Sequence, residues 1–410
     1  MKQEHKSHFS AHILIAIIAI ASWTISAQSS ITIFENGRVI VGDGKVIENA
    51  SVVVDGTRIT QVGPAASVKA PAGATRVSLT GKTLMPTLVD AHVHTSTTRD
   101  ALITDLKNRA RLGIGAAMSL GLDPGDFAFQ VRGENIPGAA RFFTAGRGIT
   151  APEQGRTDVP YWITTEDQAR TAVRELAKNK VDIVKIWVDD RDHKYTKLSP
   201  ALYTAVIDEA HKNKLRVTAH IFALEDAKGL LKAGIDGFAH GIRDTDVDAE
   251  VMALFKSHPN VVLVPNMPDR GVVADYSWLK GIVSEGELQK IQAGATNRPQ
   301  VNATWQIQAR NLKKLSDAGV KIAMGTDGNT FWAPHTEIED MVASGMTPAQ
   351  VIVAATKTSA DWVRLPNTGT IENGKTADLL ILDANPLENI TNTRKINAVY
   401  LRGLPVDRKQ

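Results

Sequence analysis

Cysteine is absent from all 410 residues. That excludes disulfides, thiolate metal sites, cysteine nucleophiles and redox centres, so a bound metal would have to sit on His, Asp, Glu or Lys. The apolar run Ile13 to Trp23 falls short of the roughly 20 residues a bilayer-spanning helix needs. Charge of one sign is lacking as well: 47 basic residues face 44 acidic ones. They alternate along the helical stretches without the basic clusters that track a phosphate backbone, so no nucleic-acid partner is expected.

The chain opens on a secretory pattern, with Lys2 and Lys6 in a basic start, then the apolar run, then Ile25-Ser26-Ala27 before Gln28. A small residue there suits a signal peptidase. Residues 1–27 are therefore read as a signal peptide and the mature protein as exported, periplasmic or secreted, with no membrane attachment after cleavage. A membrane anchor or interfacial helix is the alternative. No cysteine follows the leader, so a lipoprotein is excluded. Loss of its two Lys and one Glu lowers the formal charge of +3 by one.

From Ile31 to Val62 apolar and polar positions alternate, and Asn36-Gly37, Asp43-Gly44 and Asp55-Gly56 read as hairpin turns. The far end has the same texture in TGTIENGKTADLLILD and INAVYLRG. One small β-sandwich domain built from both termini, residues 28–83 and 367–410, is expected. Residues 84–366 carry eight short apolar runs: TLVDAHV, IGAAMSL, ARFFTAG, VDIVKIWV, LRVTAHI, GFAHG, VVLVPN and VKIAMGT. Amphipathic stretches such as TEDQARTAVRELAKN, SPALYTAVIDEAHKN, ALEDAKGLLKAG and TPAQVIVAATKTSADWVRL separate several of them. Parallel βα units have this pattern, and eight close into a (β/α)8 TIM-type barrel, giving an α/β fold. An open doubly wound sheet is the runner-up, but no glycine-rich phosphate fingerprint follows the first run.

In such a barrel the working residues cap the C-terminal ends of the strands. Here the polar caps are His92 and His94, Lys185, His220, His240 and Asp327. A His-x-His pair on a strand puts both imidazoles on one face, where one metal can take both. A lone strand histidine is ordinarily a hydrogen-bonded core residue; four at strand ends are not explained that way. Lys185 lies in an apolar strand, where burial disfavours the ammonium and a neutral amine can react with CO2 to give a bridging carbamate. Pairing with Asp182 or Asp189 is the competing reading. Asp327, in GTDG, has flanking glycines that permit a tight turn. It can bind metal and move a proton to and from water whose pKa a metal lowers toward about 7. Asp90 is positioned to orient a ligand histidine.

HVH, VKIW, TAH, FAHG and GTDG in this order, with PHTEIEDMVASGMTP and TGTIENGKTADLLILDANPLENI behind them, resemble the metal-dependent amidohydrolase superfamily across essentially the whole mature chain. The nearest branch resembles the imidazolonepropionase-like enzymes that include Xaa-Pro dipeptidases, carboxypeptidases and ochratoxin-type amide hydrolases. The resemblance implies two divalent metal ions, expected to be Zn2+. His92, His94 and Asp327 would hold one, His220 and His240 the other, with Lys185 bridging as N6-carboxylysine. Deaminase branches usually use one metal and lack the strand-four lysine, so Lys185 favours hydrolysis of an amide or ester.

Two departures bear on substrate. Dipeptidases of this branch carry Gly-Gly-His after strand three and Tyr two residues beyond the fifth-strand histidine, where this chain has RGITAPEQGR and Phe222. Replacements for substrate contact are sought among Arg156, His193, Tyr195, Arg243 and His335 in loops at the same face. An Arg there could clamp a carboxylate. Tyr161, Trp162, Phe331 and Trp332 would line the pocket or an interface. The expected partner is a small amide (dipeptide-like, N-acyl-amino-acid or ochratoxin-like), with a homo-oligomer as the expected assembly. The alternatives are a lactonase, phosphotriesterase or deaminase on the same scaffold, and a catalytically silent binding protein, against which the complete ligand set argues.

Overall fold

The computed structural model describes residues 31–94 and 98–408; the signal-peptide segment lies outside them. No helix among the described residues is long and apolar enough to cross a membrane.

The two ends of the chain meet in one mixed sheet of eight strands. Ile31–Ile40 pairs antiparallel with Val46–Asp55, and Val46–Asp55 with Arg58–Pro64. The Asp55-Gly56 turn joins the latter pair, and Asp43-Gly44 lies in the loop closed by the Val41 amide on the Lys45 carbonyl at 2.9 Å. Asn36-Gly37 departs from expectation. It is a bulge inside the first strand, with Asn36 at φ 62° and the pairing register shifting on either side of Gly37. The extra residue bends the strand instead of reversing it. Thr83–Pro86 runs parallel to the first strand, and the C-terminal Leu379–Leu382 pairs on its other side, followed outward by Ile396–Leu401 and Leu404–Pro405. Phe34, Val52, Ile59, Leu84, Leu379 and Ile381 form the apolar layer beneath. These pairings make one continuous sheet and assign no second, facing sheet, so the expected sandwich is not what they describe.

Each of the eight apolar runs contains a parallel strand. Leu88–Val93, Ile114–Ser119 and Arg141–Thr144 form one array. Val184–Trp187, Val217–His220, Gly237–Ala239, Val262–Val264 and Lys321–Ile322 follow in chain order in a second. A short parallel pair not foreseen from the sequence, Ile149–Thr150 and Tyr161–Trp162, edges this second array. The strands are buried along nearly their whole length, which is why they read as continuous apolar runs without alternation. At one seam the Ala91 amide donates to the Met324 carbonyl (2.9 Å) and the Thr326 amide to the His92 carbonyl (3.0 Å); at the other the Asp182 amide donates to the Thr144 carbonyl (3.0 Å).

Helices begin where capping residues stand. Thr165 forms a capping box with Gln168 ahead of Glu166–Lys178, and Ser199 caps Pro200–Lys212. Leu224–Lys232 starts at Ala223 without a side-chain cap. The stretch after Thr347 is helical from Pro348 to Trp362 but widens into a π turn over Ala354–Thr358. At its end the Ser359 hydroxyl donates to the Ala354 carbonyl (2.8 Å) and accepts the Met324 amide (2.9 Å), tying the helix to the segment after the last strand. Arg109 in helix Arg99–Arg111 is fully buried and pairs with Asp90 at 3.0 Å and Asp105 at 2.7 Å.

Candidate metal centre

Strand register brings four imidazoles into a row. The His92 ring lies 5.2 Å from those of His94 and His240, and His240 lies 4.5 Å from His220, all edge to face. Asp327 closes the group, with Oδ1 3.0 Å from Nε2 of both His92 and His94, and Oδ2 3.6 Å from His240 Nε2. One ligating atom from each of His92, His240 and Asp327 falls within 4.8 Å of the others, a spacing that a single cation can fill. The backbone is bent to achieve this. His240, Asn266 and Asp327, just past the ends of three adjacent strands, have φ of 84°, 44° and 57°. Non-glycine residues hold the left-handed region only where their surroundings over-determine it. The His240 amide is fixed by the Val264 carbonyl (2.9 Å) and the Asp327 amide by that of His92 (2.7 Å). The tight turn at GTDG is thus carried by Asp327 itself. Gly325 serves close approach instead, since a Cβ there would stand 2.8 Å from the His92 nitrogen and 2.9 Å from its Cβ.

Tautomers follow from the hydrogen bonds. Asn266 Oδ1 accepts the His240 backbone amide (3.1 Å), which can only donate, so this atom is the oxygen. His92 Nδ1, 2.9 Å from the same oxygen, must then carry the proton and leave a lone pair on Nε2. That Nε2 is buried and makes no aligned hydrogen bond, despite its closeness to Asp327. His220 Nε2 lies 2.9 Å from Asp189 Oδ2 and 3.2 Å from the Arg191 guanidinium; the shorter contact puts the ring proton on the carboxylate side and leaves Nδ1 to ligate. Asp189 is held in turn by Arg191 at 2.6 Å, and Arg191 by Glu153 at 3.1 Å. Asn266, Asp189, Arg191 and Glu153 were not singled out from the sequence as site residues. Asn266 does cap the seventh apolar run, the same signal that flagged the histidines.

Lys185 is completely buried, and its Nζ has no hydrogen-bond partner. The competing carboxylate pairings do not form, because Asp182 binds the Thr144 amide and Arg132, and Asp189 binds Arg191 and His220. Burial pulls the Lys185 ammonium down to about 7, with Asp327 opposing and Arg191 reinforcing the shift. Burial likewise lowers His92 to about 4, aided by Lys185, and takes His220 and His240 well below the usual imidazole range. Burial opposes ionisation of Asp327, but the imidazoles of His92 and His240 outweigh it and hold the carboxyl well below its usual range. Neutral imidazoles, an ionised carboxylate and an amine with an accessible neutral form are the donor set a divalent cation requires. The unpartnered nitrogens of His92 and Lys185 are the observation that such a group fits.

The remaining expectations divide. Asp90 touches no imidazole. It accepts the His92 backbone amide (3.4 Å) and both the amide and hydroxyl of Thr326 (3.0 and 2.8 Å), so it fixes the strand and not the ring. Arg156 pairs with Glu153 (2.8 Å), His193 is exposed against Asp190 (2.9 Å), and the Tyr195 hydroxyl donates to the Gln154 carbonyl (3.0 Å). His335 is buried away from the row, one ring nitrogen on the Leu112 carbonyl (3.0 Å) and the other on Thr393 (3.1 Å). Its position in sequence, close after Asp327, suggested a loop at the site, but it belongs to helix Pro334–Ala343, which packs inward. Arg243 does reach the group, its guanidinium 3.3 Å from the centre of the Phe222 ring. Trp332 lines a cavity of about 530 Å³ with Tyr276, Thr326 and Glu337, whereas Tyr161 stacks under Arg147 at 4.1 Å.

The chain is similar to known proteins. Ochratoxinase of Aspergillus niger is 26% identical over 430 residues, covering 91% of this chain and 85% of its own. Imidazolonepropionase of Micrococcus luteus is 26% identical over 391 residues, covering 89% and 93%. The crystal structure of a candidate prolidase from Bifidobacterium longum superposes with a TM-score of 0.77 at 26% identity, over 92% of this chain and 95% of that one. The model of the amidohydrolase family matches residues 83–406. With that match spanning every residue of the histidine row, the chain belongs to the amidohydrolase family, hydrolases acting on carbon–nitrogen bonds.

Proposed function

We propose that the protein is an exported, binuclear metal-dependent hydrolase that cleaves an amide bond in a small dipeptide-like, N-acyl-amino-acid or ochratoxin-like molecule. The observation that carries the reading is the buried, unpartnered Lys185 Nζ within electrostatic reach of His92, His220, His240 and Asp327. An amine left there without a partner costs stability, unless a group that takes up its lone pair completes the site.

His92, His94 and Asp327 would hold one zinc-type cation, His220 and His240 the second, and Lys185 would bridge as the carbamate. When bound, such cations polarise a carbonyl and lower the pKa of water. Asp327, ionised and reachable from solvent on one side, accepts a proton from the attacking water and returns it to the leaving nitrogen. Asn266 and Asp189 keep His92 and His220 in the ligating tautomers.

Around this centre we propose the eight parallel strands to be a closed barrel over residues 84–366, which the hydrogen bonds at both seams support. Residues 28–83 and 367–410 would make the companion domain, residues 1–27 a cleaved leader, and the mature chains a homo-oligomer.

The test is elemental analysis of the purified mature protein, with amide hydrolysis assayed before and after chelation. Two zinc-like ions per chain, and activity lost on chelation, are expected. Fewer than one ion with activity unchanged would overturn the reading.

A further inference from the structure

Beside the histidine row opens a cavity of about 620 Å³ whose lining includes Asp189, Arg191, Phe222, Arg243 and Pro268. Arg191 is spent on Asp189 and Glu153. Arg243 is not: among the described residues no carboxylate forms an ion pair with it. Of the acids nearby, Asp189 is taken by Arg191 and His220, and Asp244 accepts the amides of Leu224 and Thr245. Asp327 and Asp192 act on Arg243 only at a distance. The Arg243 backbone amide donates to the Phe222 carbonyl at 2.9 Å, lashing together the loops that follow His220 and Ala239.

Phe222 fixes where the guanidinium lies. Its ring is 4.4 Å from that of His220 and 5.3 Å from that of His240, and the Arg243 guanidinium sits on its face. A guanidinium held by its face keeps its in-plane N–H donors free, and that fork matches a carboxylate with two parallel hydrogen bonds. Phenylalanine has no hydroxyl to offer the substrate. It supplies a flat apolar platform that orients the cation one ring away from the two histidines.

We infer that Arg243, presented on Phe222, is the receptor for a carboxylate of the substrate, so that the preferred amides carry a free carboxyl group on the leaving amino acid. This deepens the function proposed above and rests on it. Arg156, His193, Tyr195 and His335 are engaged elsewhere, which leaves Arg243 to set specificity among the loop candidates.

The test uses the metal-loaded mature enzyme and a panel of N-acetyl-L-amino acids, each beside its carboxamide. A preference for the acid of about 100-fold or more in kcat/KM, expressed mainly in KM, is expected of the parent, because a site built around a polar contact rejects the analogue that lacks it. In Arg243→Met the preference should fall to within about threefold, and Arg243→Lys, which keeps the charge without the fork, should recover part of it. A parent that does not discriminate, or a preference that survives in Arg243→Met, overturns the inference. Should the parent cleave no amide at all, the proposed function fails, and the receptor is then read by calorimetric titration with free L-amino acids and their amides. Binding of the acids alone, lost in Arg243→Met, upholds it; equal binding of both overturns it.

Discussion

A single amide oxygen, that of Asn266, accepts from the ring of His92 and from the backbone of His240. Two candidate ligands from different strands thus share one support, and the support also decides which nitrogen of His92 is free. Replacing it removes no ligand, yet lets the ring turn and lose its tautomer. Asn266→Ala is therefore expected to cost about 10- to 100-fold in metal affinity, measured by competition with a chromophoric chelator; parental affinity in the variant would show that the ring is held by other means. A search for ligating residue types passes over this position, because asparagine is not a typical ligand for such a cation, although it stands at the end of the run VVLVPN as the histidines stand at theirs. Asp90 illustrates the converse. A carboxylate two residues before a histidine looks suited to its ring, but strand geometry gives it the backbone of His92 and the turn at Thr326, with the buried Arg109 balancing its charge.

Among the elements, the strands are short and their ends carry the chemistry, so spacing between neighbouring strands matters more than their length. The last strand hydrogen-bonds beside His92 because Gly325 has no side chain: a Cβ would meet the Val264 Cγ1 at 2.6 Å and the His92 Cβ at 2.9 Å. Gly325→Ala should push His92 away from Asp327. The expected loss is about 1–3 kcal/mol of stability together with metal content, read by thermal denaturation and elemental analysis on the same sample. A variant that keeps both would place the strain elsewhere. The flanking glycines of GTDG were legible as a turn signal. That Asp327 takes the left-handed conformation while Gly325 buys proximity was not, since only the packed neighbour reveals which property of glycine is used. The π turn over Ala354–Thr358 is of the same kind: its sequence reads as ordinary helix, and only the fold shows the wider turn, with the Ser359 hydroxyl beside it accepting the Met324 amide.

For the whole molecule, His335 joins segments remote in sequence, the Leu112 carbonyl and the Thr393 hydroxyl, and burial lowers its pKa from 6.5 to about 4. An unfolded chain binds a proton there more readily than the folded one between those values. Its contribution to stability is therefore complete above pH 6.5 and declines as pH falls toward 4, by about 3 kcal/mol in all. His335→Gln can keep one donor and one acceptor without titrating, so the parent's advantage over it should shrink by that amount between pH 7 and pH 4, followed by denaturant unfolding. A gap that stays constant would mean the ring is not held neutral. The sequence alone determined the polar residue types that end the apolar runs, their order, and the α/β pattern between them, because residue chemistry and hydrophobic periodicity are local properties of a chain. It also exposed the shared texture of the two termini. Only the tertiary structure decided that Asn266 serves His92, that Asp189 serves His220, that Arg243 lies on Phe222, and that His335 is a brace and not a contact for substrate. Those pairings join separate strands and loops through register and strained backbone at the strand ends, and neither leaves a mark in the local pattern of residues.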